Sequence, residues 1–123
     1  MYQYKAKLIR VVDGDTVDAL IDCGFSTFKK ERIRLLGIDA PESRTRDKAE
    51  KKRGLAAKAR LKELIKEGQN KFIVETSIDK KGKYGRLLGE IFREVDSERS
   101  YNDMLVSEGH AIEYFGGKKK KKK

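Results

Sequence analysis

A change of hydrophobic period at Asp47 constrains the fold of this 123-residue chain more than any other feature. Before it, apolar and polar residues alternate as in half-buried strands. Tyr2, Tyr4, Ala6 and Leu8 interleave with Gln3, Lys5 and Lys7. After the turn signal Asp13-Gly14, alternation resumes over residues 16–22 through Val17, Ala19 and Ile21, and Gly24 marks the turn into a third strand over 28–36. From Asp47 onward Ala57, Leu61, Leu64 and Ile65 fall on one helical face, with Asp47 and Glu50 spaced as a capping box and Gly68 as the stop. Residues 71–77 and 84–93 return to strand, with a charged loop around Gly82 between them. A second helix runs from an N-cap at Ser100 to Gly109.

Three strands, a helix, two strands and a short helix is the element order of the OB-fold. That fold is mainly β with helices: a five-stranded Greek-key barrel with one helix after strand 3 and a short one after strand 5. The length suits one domain with a single core. The expected organisation is a domain over residues 1–115 and a disordered Gly-Gly-polylysine tail over 116–123.

Net charge is +10, of which the six terminal lysines supply six, leaving +4 for the body. Such a balance favours a polyanionic partner. Cys23 is the only cysteine and His110 the only histidine, which excludes an intrachain disulfide and a histidine-rich metal centre. His110 follows a helix stop and Cys23 precedes a turn glycine, and neither has a partner in the sequence for catalysis. The N-terminus has no uninterrupted apolar run, so neither a signal peptide nor a membrane span is expected. As written the chain reads as cytoplasmic, secreted only if a leader was removed, and monomeric by default.

The segment 34–42, RLLGIDAPE, carries the candidate chemistry. Asp39 and Glu42 lie three residues apart around Pro41. Asp15, in the first turn, supplies a carboxylate from elsewhere in the chain. Carboxylates from separate turns, with the carbonyl of Ala40, suit a hard cation that prefers oxygen. Calcium fits such a set, and Asp13 adds a carboxylate that favours magnesium as the alternative. Glu42 has the chemistry of a general base for an attacking water. Arg34 and Arg86 can fork to phosphate oxygens where charge develops. Taken singly, each of these is as readily a turn acid or a solvated strand arginine. In a regular strand Arg34 and Asp39 point to opposite faces, so convergence requires a bend, and Gly37 can supply it as a bulge.

Three segments, VVDGDTV at 11–17, RLLGIDAPE at 34–42 and KYGR at 83–86, resemble the signature blocks of the staphylococcal nuclease (thermonuclease) family in order and spacing. The similarity runs from about residue 8 to about residue 111. It implies an OB-fold enzyme that uses calcium to hydrolyse DNA and RNA at the P–O5′ bond, leaving 3′-phosphates. By position it implies metal ligation by Asp15, Asp39 and the Ala40 carbonyl, with Glu42 as base and Arg34 and Arg86 on the phosphate. Lys83 and Tyr84 match positions that contact the bound nucleotide, and Tyr114 aligns loosely with a second nucleotide-stacking tyrosine. Asn102 and Asp103 match structural positions of the family's second helix. Ala40 stands where the family often has threonine. Secreted members also carry signal peptides and a third helix, which this sequence does not show. The rival reading is a non-catalytic OB-fold module that binds nucleic acid or a protein; relatives of that kind have lost the acidic and basic residues retained here.

Overall fold

The computed structural model describes residues 2–76 and 87–114. The expected positions Lys83, Tyr84 and Arg86 and the tail over 116–123 lie outside the described residues.

Strand β1 (Tyr2–Asp13) is followed by β2 (Thr16–Asp22), β3 (Phe28–Leu35) and a short β4 (Ile38–Asp39). Then come α1 (Lys48–Glu67), β5 (Lys71–Thr76), β6 (Leu87–Phe92), α2 (Tyr101–Ser107) and a short β7 (Ile112–Glu113). Five strands close a barrel in the order β1-β2-β3-β6-β5, and β4 pairs separately with β7. This is the mainly-β Greek-key barrel with two helices that the element order predicts.

Closure depends on β1. Residues from Tyr2 to Lys7 pair with β5, and residues from Ala6 to Asp13 pair with β2. Register shifts between Leu8 and Arg10 and between Val11 and Asp13 curl the strand so that it serves both neighbours. The simple alternation is lost after Leu8, where the register becomes irregular. A parallel pairing of β3 with β6, Ile33 opposite Leu87 and Leu35 opposite Gly89, completes the circle.

Alternation then sorts the side chains. Val17, Ala19, Ile21, Ile33, Leu35, Phe72, Val74 and Ile91 fill the interior, joined by Ala57, Leu61, Leu64 and Ile65 of α1. Each fully buried large aliphatic or aromatic side chain contributes about 1.5–3 kcal/mol. The α1 stripe is the one its period predicts. Asp47 caps that helix by accepting from the N–H groups of Ala49 and Glu50, and the Gly68 N–H closes its end on Ile65 and Lys66.

The second helix is fastened through Asn102. Its Nδ2 donates to the Leu36 carbonyl at 2.9 Å, and its Oδ1 accepts from the Ile91 N–H at 3.1 Å. Ser100 caps α2 by accepting from the Asp103 N–H. Asn102 therefore has the structural placement expected of it, whereas Asp103 contributes its backbone N–H and keeps an exposed side chain beside Arg99. No helix among the described residues is long and apolar enough to cross a membrane.

Candidate active site

Arg34 sits at the end of β3 opposite Thr16, the first residue of β2, which brings the β1–β2 turn and Asp15 alongside it. The Leu35 N–H donates to the Asp15 carbonyl at 2.8 Å and locks this register. The bend expected at Gly37 is present as a turn that separates β3 from β4, rather than as a bulge within one strand. Gly37 has φ +81°, a conformation that disfavours side chains bearing a Cβ. The turn reverses the chain enough for Arg34 to reach residues that a straight strand would send to the other face.

The guanidinium fills this turn. Its Nη1 donates to the carbonyls of Leu35 at 3.0 Å and Ile38 at 2.9 Å. Its Nη2 bonds Asp39 Oδ1 at 3.2 Å and forms an ion pair with Asp15 Oδ2 at 3.5 Å. One nitrogen thus spans two carboxylates that are 24 residues apart in sequence.

Asp15 is 8 % exposed. Its Oδ2 accepts from the Ala40 N–H at 2.8 Å and its Oδ1 from Thr16 Oγ1 at 2.9 Å. Burial raises its pKa, against the opposing pull of Arg34 and of these hydrogen bonds. Asp15, Asp39 and Ala40 are therefore adjacent, as the sequence predicts. Their donor set is oxygen only, and the desolvated Asp15 carboxylate would gain from a dication. These residues fit a hard cation held by two carboxylates, with its remaining positions open to water or substrate. Among the described residues no group of three or more acidic, histidine or cysteine side chains gathers at one point.

Asp13 bonds Ser43, on the segment after Pro41. Its Oδ1 accepts from both the N–H, at 3.3 Å, and the hydroxyl of Ser43. That carboxylate holds the segment after Pro41 against the first turn.

Glu42 is exposed at the rim. Its backbone N–H donates to Glu50 Oε2 at 3.1 Å, linking the segment to the first turn of α1. This corrects the reciprocal half of the capping box. The Asp47 N–H donates to Thr45 Oγ1 instead, because Glu50 reaches past the cap to the loop. Close packing reinforces the link: a Cβ at Gly54 would stand 2.2 Å from the Glu42 carbonyl oxygen, and one at Gly14 would stand 2.6 Å from Ala57 Cβ. The helix presses directly on both segments that carry the site.

Tyr114 also arrives here. Pairing of β4 with β7 sets Asp39 opposite Ile112, and the Tyr114 N–H donates to the Gly37 carbonyl at 2.8 Å. The sequence reading overlooked this strand pair, whose two residues per strand are too few for a periodic signal. It also passed over Thr16, Glu50 as a loop anchor, and Gly54. A glycine in the middle of an otherwise helical pattern was the available signal for Gly54.

A family model described as "Staphylococcal nuclease homologue" matches residues 32–123. The chain belongs to the staphylococcal nuclease family. Among curated proteins it is similar to Endonuclease YhcR of Bacillus subtilis (strain 168), 33% identical over 118 residues covering 92% of this chain and 9% of that protein. It is 33% identical to Endonuclease YncB of the same organism, over 85% of this chain and 45% of that protein. Micrococcal nuclease of Shigella flexneri is 30% identical over 90% of this chain and 59% of its own length. The chain thus spans from under a tenth to about three-fifths of these relatives.

Proposed function

We propose that this chain is a metal-dependent phosphodiesterase, an endonuclease that cleaves DNA, RNA or both with little sequence preference. The observation that carries the reading is the meeting of Asp15, Arg34 and Asp39 at one nitrogen, with Glu42 anchored on the adjoining rim. Relatives named as endonucleases and as a micrococcal nuclease support it.

Asp15, Asp39 and the Ala40 carbonyl would hold the cation, calcium by preference and magnesium as the alternative. When bound, it supplies a positive charge that polarises a phosphoryl oxygen. Glu42 acts as the general base, taking the proton of a water that attacks phosphorus, worth about 10²–10⁴-fold in rate. Arg34 and Arg86 neutralise the non-bridging oxygens as charge accumulates on them. Lys83 and Tyr84 contact the bound nucleotide, and Tyr114 stacks on it. Arg34 has a second duty in this scheme, because its Nη1 also staples the turn that positions Asp39.

The test is digestion of plasmid and of single-stranded DNA with calcium, magnesium or chelator, run beside Glu42→Gln. Cleavage in calcium, abolished by chelator and lowered at least a hundredfold by the substitution, is the expected result. A wild type that binds DNA but cuts it in neither metal would instead establish the non-catalytic OB-fold module. Equal rates for wild type and Glu42→Gln would remove Glu42 from the role of base.

A further inference from the structure

The outer face of β1, β2, β3 and β5 carries positive charge that the chemistry of the site does not use. Ile33 and Leu35 point into the barrel, so Phe28, Lys30, Arg32 and Arg34 share the outer face of β3. Register extends this column sideways. Lys30 lies opposite Leu20, Leu20 opposite Lys7, and Lys7 opposite Lys71, a single row across four strands. Nearer the site, Arg32 and Arg10 both lie opposite Asp18, which they clasp at 2.8 and 2.9 Å. Two arginines on one carboxylate leave a surplus positive charge there as well.

The lysine row breaks a rule of sheet construction. Like charges directly opposite one another destabilise a strand pair, yet Lys7 faces Lys71. Among the described residues no acid lies within salt-bridge distance of Lys7, Lys30 or Lys71. A local conflict of this kind points to a ligand that relieves it.

Apolar surface lies at the same end. Phe28 is 56 % exposed, and a groove of about 890 Å³ runs beside it between the lysine row and the segment 93–96. At the tip of the β2–β3 hairpin Phe25 is fully exposed with φ +52°, an unfavourable backbone conformation for an aromatic residue. The far wall of the groove carries Arg93, Glu94 and Asp96, a net negative charge, and the near side carries Lys5, Lys7 and Lys71 with Asp22, which pairs with Phe28. Phosphates therefore have the more favourable path on the lysine side, where Lys5, Lys7 and Lys71 outnumber Asp22. A duplex would bring its second backbone toward the acidic wall, whereas one strand can keep its phosphates on the lysines and its bases over the aromatic rings.

We propose that the outer face from Arg34 to Phe28 is a binding track for single-stranded nucleic acid, in which Lys7, Lys30 and Lys71 contact phosphates and Phe28 stacks on a base. Six residue steps along β3, from Phe28 to Arg34, make this track about 20 Å long. It extends the substrate well beyond the scissile phosphate, and it rests on the nuclease reading for its starting point.

Fluorescence anisotropy on the full chain in chelator, where no turnover occurs, tests the track separately from cleavage. The probes are a labelled dinucleotide, an oligothymidylate of about 12 nucleotides and a duplex of equal length. The single strand binds most tightly. Replacing Lys7, Lys30 and Lys71 together by glutamine weakens its binding and flattens the plot of log affinity against log salt by about 2, near 0.7 per phosphate contact. Phe28→Ala weakens it about 5- to 150-fold, the range for losing one stacked base. All four side chains are exposed, so melting temperatures do not fall, and relief of the Lys7–Lys71 repulsion raises that of the triple variant slightly. Wild-type affinity and salt slope in the triple variant would overturn the track, as would a duplex that binds as tightly as the single strand. If the affinity pattern holds while no metal supports cleavage, the track stands and the nuclease reading falls.

Discussion

The backbone N–H of Glu42 donates to Glu50 Oε2 at 3.1 Å, so the rim of the site is held by the first turn of α1. Glu50 also lies where an acid complements the helix dipole. Glu50→Ala frees the Glu42 segment from the helix without removing any group from the site. The expected outcome is a fall in kcat of about tenfold, equivalent to one hydrogen bond of roughly 1.4 kcal/mol, with KM nearly unchanged. Glu50→Gln retains an acceptor and restores most of the rate. A Glu50→Ala enzyme with wild-type kcat would show that this contact positions nothing.

Gly54 packs against the same segment. Alanine favours a helix interior by about 1 kcal/mol, but here its Cβ would lie 2.2 Å from the Glu42 carbonyl oxygen and 2.7 Å from the Ser43 nitrogen. Both are backbone atoms, so the helix or the rim must move. We expect Gly54→Ala to destabilise the protein by about 2 kcal/mol in urea unfolding and to lower activity alongside. A gain in stability would mean that the helix and the loop are less closely packed than described.

Asn102 ties α2 to β6 and to the turn that contains Gly37. Asn102→Ala leaves the Leu36 carbonyl and the Ile91 N–H without their side-chain partner in a buried setting. The expected loss is about 2–4 kcal/mol. Asn102→Asp keeps the acceptor for Ile91 but loses the donor to Leu36, and places a charge at a site only 3 % exposed. It should be at least as destabilised at neutral pH. A change below about 0.5 kcal/mol for the alanine variant would count against this account.

Asp18 provides the pH dependence. Hydrogen bonds from Arg32, and then from Arg10, hold its pKa down to about 2. A carboxyl whose pKa is lower folded than unfolded adds stability above the unfolded value near 4, and loses it as pH falls through about 2. Both arginines are half exposed, so solvent screens the pairs and the contribution is about 1 kcal/mol. Wild type should exceed Asp18→Asn by that margin above about pH 5, with the gap closing between roughly pH 4 and pH 2 in thermal melts. A gap that stays constant across this range would assign the effect to packing instead of charge.

Much of the architecture was legible in the sequence because its signals are local. Asp47 and Gly68 bound α1 through hydrogen bonds within a few residues, and the burial of Ala57, Leu61, Leu64 and Ile65 follows from the helical period. The alternation of Val17, Ala19 and Ile21 likewise set the inner face of β2 before any partner strand was known. The continuation of β1 beyond Leu8 has no clean alternation, since its register shifts respond to two neighbours that the local pattern does not contain. The β4–β7 pair has no local signal for a related reason: its pairing joins residues that are 73 and 75 apart, on two-residue strands.

For the site, the sequence determined which side chains are available: Asp15, Arg34, Asp39 and Glu42, and the glycine at position 37 that permits a reversal between the middle two. The tertiary structure decided how they meet. Pairing of Thr16 with Arg34 brings Asp15 to the guanidinium, the Gly37 turn brings Asp39, and Glu50 secures Glu42 from a helix that begins beyond the site. Hydrophobic period and turn chemistry act over a few residues and can be read along the chain. Strand register and helix docking arise from burying a shared core, and they exist only once distant segments have packed together.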